Sequence, residues 1–124
     1  MAIKYYEVPE KRQVIAVLKN TKWDAYNKID KLLSETNFVM VEPESAKRDR
    51  YLMPDEFKVV VTCDPRDEYV FEVGANIAKQ RIMDKYYHSL DKRLNMFARE
   101  IADFAYNVTM SRVDELDKKR AKKI

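Results

Sequence analysis

One cysteine, one histidine and one glycine are all that this chain of 124 residues carries of the three residue types on which much protein chemistry depends. Each scarcity excludes something. A single Cys63 makes no internal disulfide, and a lone thiol suits a reducing compartment. One His and one Cys give no ligand cluster at zinc-like spacing, so neither a metal nor another cofactor is expected. A nucleophile pair of Cys63 with His88 is hard to build, because a straight helix from Pro65 to His88 would hold them ~35 Å apart. The solitary Gly74 leaves no glycine-rich phosphate loop. An enzyme is therefore not expected. Long apolar runs are missing too. The opening MAIKYYEVPEKR has no hydrophobic leader, and the longest aliphatic stretch, Val14 to Leu18, falls far short of the ~20 residues of a membrane span. The expectation is a cytoplasmic protein without a membrane partner.

What is present suffices for one globular domain: 46% of the residues are apolar and 36% charged. A chain of this length buries roughly two thirds of its unfolded surface and needs no staple. The formal charge of +3 is a property of the end of the chain, since residues 118–124, KKRAKKI, hold five cations and no acid, and without them the charge is −2. A nearly balanced body argues against a folded nucleic-acid reader, which carries its cations as a patch. The tail reads as a solvated helix end whose lysines suit the negative pole of the helix dipole. Weak nucleic-acid binding through that tail is the alternative.

Pro9, Pro43, Pro54 and Pro65 each lie between patterned segments and divide the chain. Ile3 to Val8 reads as an edge strand, and Gln13 to Leu18 as a buried strand. Thr21 opens a helix as a Thr-x-x-Asp cap with Asp24, followed by Ala25, Ile29, Leu32 and Leu33 at helical spacing and ending near Glu35. Phe38 to Val41 reads as a strand, 42–54 as a polar loop, and Phe57 to Cys63, with three consecutive valines, as the clearest strand of all. No Asn-Gly or Asp-Gly hairpin signal occurs, so longer connections or the helix must join the strands.

After Cys63 the chain reads as helix. Asp64 is a good N-cap, Pro65 fits the first helical position, and Asp67 and Glu68 place negative charge in the first turn. The free N–H groups of such a helix start favour an anion, but these acids already fill that role. Met83, Tyr87, Leu90, Leu94, Phe97, Ile101, Phe104 and Val108 then alternate spacings of four and three, a heptad seam. Tyr86, Ala98, Ala102 and Ala105 widen it. A helix from 65 to about 117 would be ~80 Å long, more apolar ribbon than a small sheet can cover. The pattern predicts at least a partial break near His88 to Lys92 and a homodimer through the C-terminal half.

The expected architecture is thus α+β. A single domain spans 1–117, with sheet and helix in 1–63, one or two long dimerising helices in 64–117, and the basic tail at 118–124. His88 falls opposite the seam in a polar row with Arg81, Lys85, Lys92, Asn95 and Arg99, which reads as a solvated face or as a basic rail for an anionic partner. Paired acids such as Asp55/Glu56 diverge on a helix and look like loop and cap charges.

The junction Cys63-x-Pro65-x-Asp67-x-Tyr69, followed by Gly74-x-x-Ile77-Ala78-x-x-Arg81, resembles a strand-to-helix segment of small uncharacterised proteins of phages and prophages of low-GC Gram-positive bacteria. Within that group, a small sheet followed by long dimerising helices is similar to the anti-Thoeris sponge proteins, which sequester cyclic ADP-ribose signals without cleaving them. The resemblance implies a pocket at a dimer interface, with an aromatic ring for the base and cationic or amide side chains for the phosphates. Phe71, Asn95, Arg99 and Arg112 are the chemically suitable residues of this chain. The expected function is a noncatalytic binder of a nucleotide-derived signal. The alternative is a protein-binding inhibitor or assembly module engaging a host protein.

Overall fold

The computed structural model describes residues 2–36 and 49–122. Its architecture is α+β: a three-stranded antiparallel sheet, one short helix and one long helix. The strands are β1 (Ile3–Val8), β2 (Gln13–Lys19) and β3 (Glu56–Thr62), in spatial order β1-β2-β3. All three lie within a residue or two of the sequence reading. The expected strand Phe38 to Val41 falls outside the described residues, as does most of the expected loop 42–54.

Strands β1 and β2 are joined through a 3-10 turn, Pro9–Lys11, closed by Arg12 in the left-handed region at φ 54°, with its N–H on the Pro9 carbonyl at 3.0 Å. A four-residue connection thus replaces the tight hairpin that the sequence lacks. Across the sheet Glu7 faces Val14 and Val14 faces Val61. Alternation buries Phe57, Val59 and Val61 of β3 beside Val14, Ala16 and Leu18 of β2, so this face of the sheet is the core, while Val17 is buried on the other face.

Helix α1 runs from Asp24 to Thr36 and buries Ala25 and Ile29. Its start corrects the expected cap at Thr21. That side chain is almost wholly buried, and its hydroxyl donates to the Pro54 carbonyl at 2.6 Å. Leu32, which helix periodicity puts on the same face as Ala25 and Ile29, is nonetheless exposed. The segment before β3 is also unlike a polar loop. Asp49 and Arg50 are helical, Tyr51 and Met53 are buried, and Met53 N–H donates to the Lys22 carbonyl at 2.9 Å.

Helix α2 runs without interruption from Phe71 to Lys122, including most of the basic tail. The expected break near His88 to Lys92 is absent, for after Gly74 neither proline nor glycine disrupts the backbone ladder. The expected start at Pro65 is wrong by six residues. Asp64 accepts the backbone N–H of Arg66 at 2.9 Å and so closes a turn, not a helix. The chain divides into two compact units, Met1–Arg93 and Leu94–Ile124, so α2 contributes residues 71–93 to the first and 94–122 to the second.

In the first unit the buried residues of α2 are Ala78, Ile82, Tyr86 and Leu90, in a row that begins at half-buried Gly74. This is an i+4 ridge, not the 3-4 seam. Such a ridge winds obliquely about the helix and can follow a twisted sheet. Tyr87, expected in the seam, is exposed in consequence, while Tyr86 packs edge-on against Phe57 with ring centroids 6.0 Å apart. Its hydroxyl donates to Asp24 at 2.7 Å, and burial, followed by that carboxylate, raises its pKa. The second unit buries Phe97, half-buries Leu94, Ile101 and Phe104, and exposes Val108.

Candidate functional site

A cavity of about 350 Å³ lies in the first unit, where the ends of β2 and β3 meet the turn 63–70 and the first turns of α2. Its apolar lining comes from Val14, Val61, Val70, Val73, Gly74 and Ile77, its polar lining from Arg12, Thr62, Cys63, Asp64, Asp67, Glu68 and Tyr69. Gly74 sets how closely helix and sheet approach: a Cβ built there would lie 2.7 Å from Val14 Cγ2.

Arg12 holds the turn. Its Nη2 donates to the carbonyl oxygens of Asp67 and Asp64, the latter at 3.3 Å, and approaches Cys63 Sγ at 3.4 Å. The Cys63 N–H returns a bond to the Arg12 carbonyl at 2.8 Å, so the left-handed turn after β1 is fastened to the end of β3. Arg12 Nε is buried with no acceptor among the described residues. Cys63 is half-buried, and its thiol lies within 3.5 Å of the Asp64 carbonyl.

The lining is acidic overall: one arginine against Asp64, Asp67 and Glu68. Asp64 is bound by Arg66, whose side-chain and backbone donors, helped by Arg12, hold its carboxyl below the usual range. Tyr69 donates to Glu7 at 2.8 Å. Burial, and then that bond to a carboxylate, push its pKa up to about 12.

The residues singled out from the sequence lie elsewhere. Phe71, half-buried, is the first residue of α2 in the first unit; Asn95, Arg99 and Arg112 are exposed in the second. Asn95 and Arg99, one turn apart, share a helix face. Arg99 and Arg112 are thirteen positions apart, which turns them about 140° from each other around the helix. No single face of the chain therefore presents both arginines. Arg81, Lys85, His88 and Lys92 are all exposed, as a solvated row would be. His88 sits seventeen positions along α2 from Phe71, ~26 Å of helix rise.

Sequence reasoning missed the cavity because it assigned 64–70 to the helix. Val70, Val73 and Ile77, aliphatic residues ahead of the seam with no role in it, were the signal that could have found its wall. Nothing in the local pattern marks Arg12. Among the described residues no group of three His, Cys, Asp or Glu side chains could hold a metal ion, and no helix is long and apolar enough to cross a membrane. Comparison with known protein families, curated proteins and solved structures finds no match.

Proposed function

We propose that this chain is a noncatalytic binding protein and that its ligand occupies the cavity beneath the turn 63–70. The observation that carries the reading is the contrast inside that cavity, an aliphatic floor below a mouth bearing three carboxylates and one arginine. A ligand suited to it has an apolar body of modest size and a cationic or hydrogen-bond-donating head for Asp67 and Glu68. An acceptor atom on the same ligand would satisfy the buried Arg12 Nε. Phosphates fit poorly, because they would meet Asp64, Asp67 and Glu68 in a half-enclosed space.

Phenethylamine and 3-phenylpropionate, alike in body and opposite in charge, test this directly. The amine should shift the methyl NMR signals of Val14, Val61, Val73 and Ile77 and slow alkylation of Cys63 by iodoacetamide; the carboxylate should do neither. Val73→Trp, which fills the mouth from an exposed position on α2, should abolish the amine's effect. Equal binding of both probes, or of neither, would refute the cavity reading. The nucleotide-sequestering role implied by the resemblance to anti-Thoeris sponges is a separate proposal, seated on Asn95 and Arg99 between two copies. Micromolar binding of a cyclic ADP-ribose isomer, lost in Arg99→Ala, would transfer the function to that face.

A further inference from the structure

The second unit carries an exposed apolar stripe that shares only Ala102 with the widened heptad seam. Ala102, Tyr106, Thr109, Val113 and Leu116 follow one another at spacings of four, three, four and three, and all are exposed, with Tyr106 at 64%, Val113 at 40% and Leu116 at 61%. Residues so spaced share one side of a helix and keep to it when two helices supercoil. The stripe stops at Arg99 and Arg120, the next positions of the same pattern in each direction. The hydroxyl of Thr109 is already satisfied: Thr109 Oγ1 donates to the Ala105 carbonyl at 2.8 Å, leaving the methyl group to face a partner.

We infer that this stripe is the contact between two copies of the chain, with the α2 helices parallel and in register. The charges flanking the stripe choose both partner and direction. In the heptad frame Val113 holds an a position and Leu116 a d position, the β-branched and Leu combination that in a parallel coiled coil favours two strands. Arg112 precedes Val113 and Asp117 follows Leu116, so parallel copies place each Arg112 beside Asp117 of the other copy, twice by symmetry. An antiparallel pair on the same stripe sets Asp103 against Asp117 and Arg112 against itself. The opposite charges meet only in the parallel arrangement, and the two-fold axis then brings each stripe residue against its own counterpart. This inference is independent of the cavity reading, since no residue of the stripe lines the cavity.

The intact chain at about 100 μM should have twice its chain mass by sedimentation equilibrium, and Leu116→Asp should return it to a monomer with unchanged Trp23 fluorescence. Arg112→Asp should weaken the dimer about tenfold, and adding Asp117→Arg should restore it, since each flanking pair contributes only a few tenths of a kcal/mol and two pairs and their repulsive replacements are involved. In a Cys63→Ser background, Thr109→Cys should oxidise to a disulfide between identical positions of two chains. A monomer at that concentration, or a dimer untouched by Leu116→Asp, overturns the interface. A dimer left unchanged by Arg112→Asp overturns the parallel direction, because an antiparallel pair sets residue 112 against itself and the variant only exchanges one like-charge contact for another. Retention of the wild-type monomer–dimer equilibrium in Val73→Trp separates failure here from failure at the cavity.

Discussion

Replacing Gly74 with alanine sets two opposed effects against each other at one position. In the interior of a helix the change should stabilise by about 1 kcal/mol through backbone entropy. Against this, the new Cβ would lie 2.7 Å from Val14 Cγ2, where carbon atoms prefer about 3.5–4.0 Å. Val14 is 1% exposed, and its β-branched side chain has few rotamers into which to retreat. Overpacking of this kind costs about 1–3 kcal/mol. The clash wins, and Gly74→Ala should destabilise by about 1 kcal/mol, lowering the melting temperature by about 4 °C. Val14→Ala alone removes two methyl groups, at about 0.8 kcal/mol each, and leaves a hollow, for a total of about 2–3 kcal/mol. In the double variant the new methyl group occupies space that Val14 has vacated, and the helix gain is realised. The pair should therefore be about 2 kcal/mol more stable than the two single effects summed. Urea unfolding followed by Trp23 fluorescence, which reports the first unit, measures all four members of the cycle. A raised midpoint for Gly74→Ala, or strict additivity, would refute the close approach of helix and sheet from which the cavity follows.

Other consequences concern the turn over the cavity. Because the folded chain keeps the Tyr69 phenol protonated up to about pH 12, while an unfolded chain releases that proton near 10, its contribution to stability is complete below pH 10 and declines as the pH rises from 10 to 12. Phenolate absorbance should show one late-titrating tyrosine fewer in Tyr69→Phe. In Glu7→Gln it should show that tyrosine moved only part of the way back towards 10, because burial is the larger cause. Arg12→Lys keeps the charge but loses the Nη2 that reaches two carbonyls and the sulfur at the end of a planar guanidinium, so the turn should loosen and iodoacetamide should alkylate Cys63 several times faster. An unchanged rate would mean that Arg12 does not hold the turn.

The strands were legible because their signal is local. Alternation in Phe57–Val61 and the aliphatic run Val14–Leu18 specify extended, half-buried chain whatever else folds around them. The helical character of the α2 interior was also plain, but the break expected near His88 to Lys92 is absent, since nothing after Gly74 interrupts the backbone ladder. The start of α2 was not plain. Asp64 and Pro65 are as good at opening a turn as at opening a helix, and only the grip of Arg12 on the carbonyls of Asp64 and Asp67 tips the choice. Thr21 looked like a cap for the same reason: its hydroxyl has a local use, and the Pro54 carbonyl, 33 residues away, offered a better one. The heptad seam was read correctly as pattern and assigned too widely, because beside a twisted sheet the i+4 ridge through Ile82 and Tyr86 competes with the 3-4 seam through Met83 and Tyr87.

By itself, then, the sequence determined the α+β class, the positions of β1, β2 and β3 and the helical character of the back half, all of which depend on periodicity and on where proline and glycine are absent, whereas the continuity of α2 past His88 to Lys92 went against the expected break. Tertiary structure decided where α2 begins, which of its faces meets the sheet, and that Arg12, Cys63 and Tyr69 surround a common space. Those outcomes rest on contacts between residues some 50 to 60 positions apart, where the energy of one long-range hydrogen bond, or of the methyl group that Gly74 leaves out beside Val14, outweighs any preference a local pattern expresses.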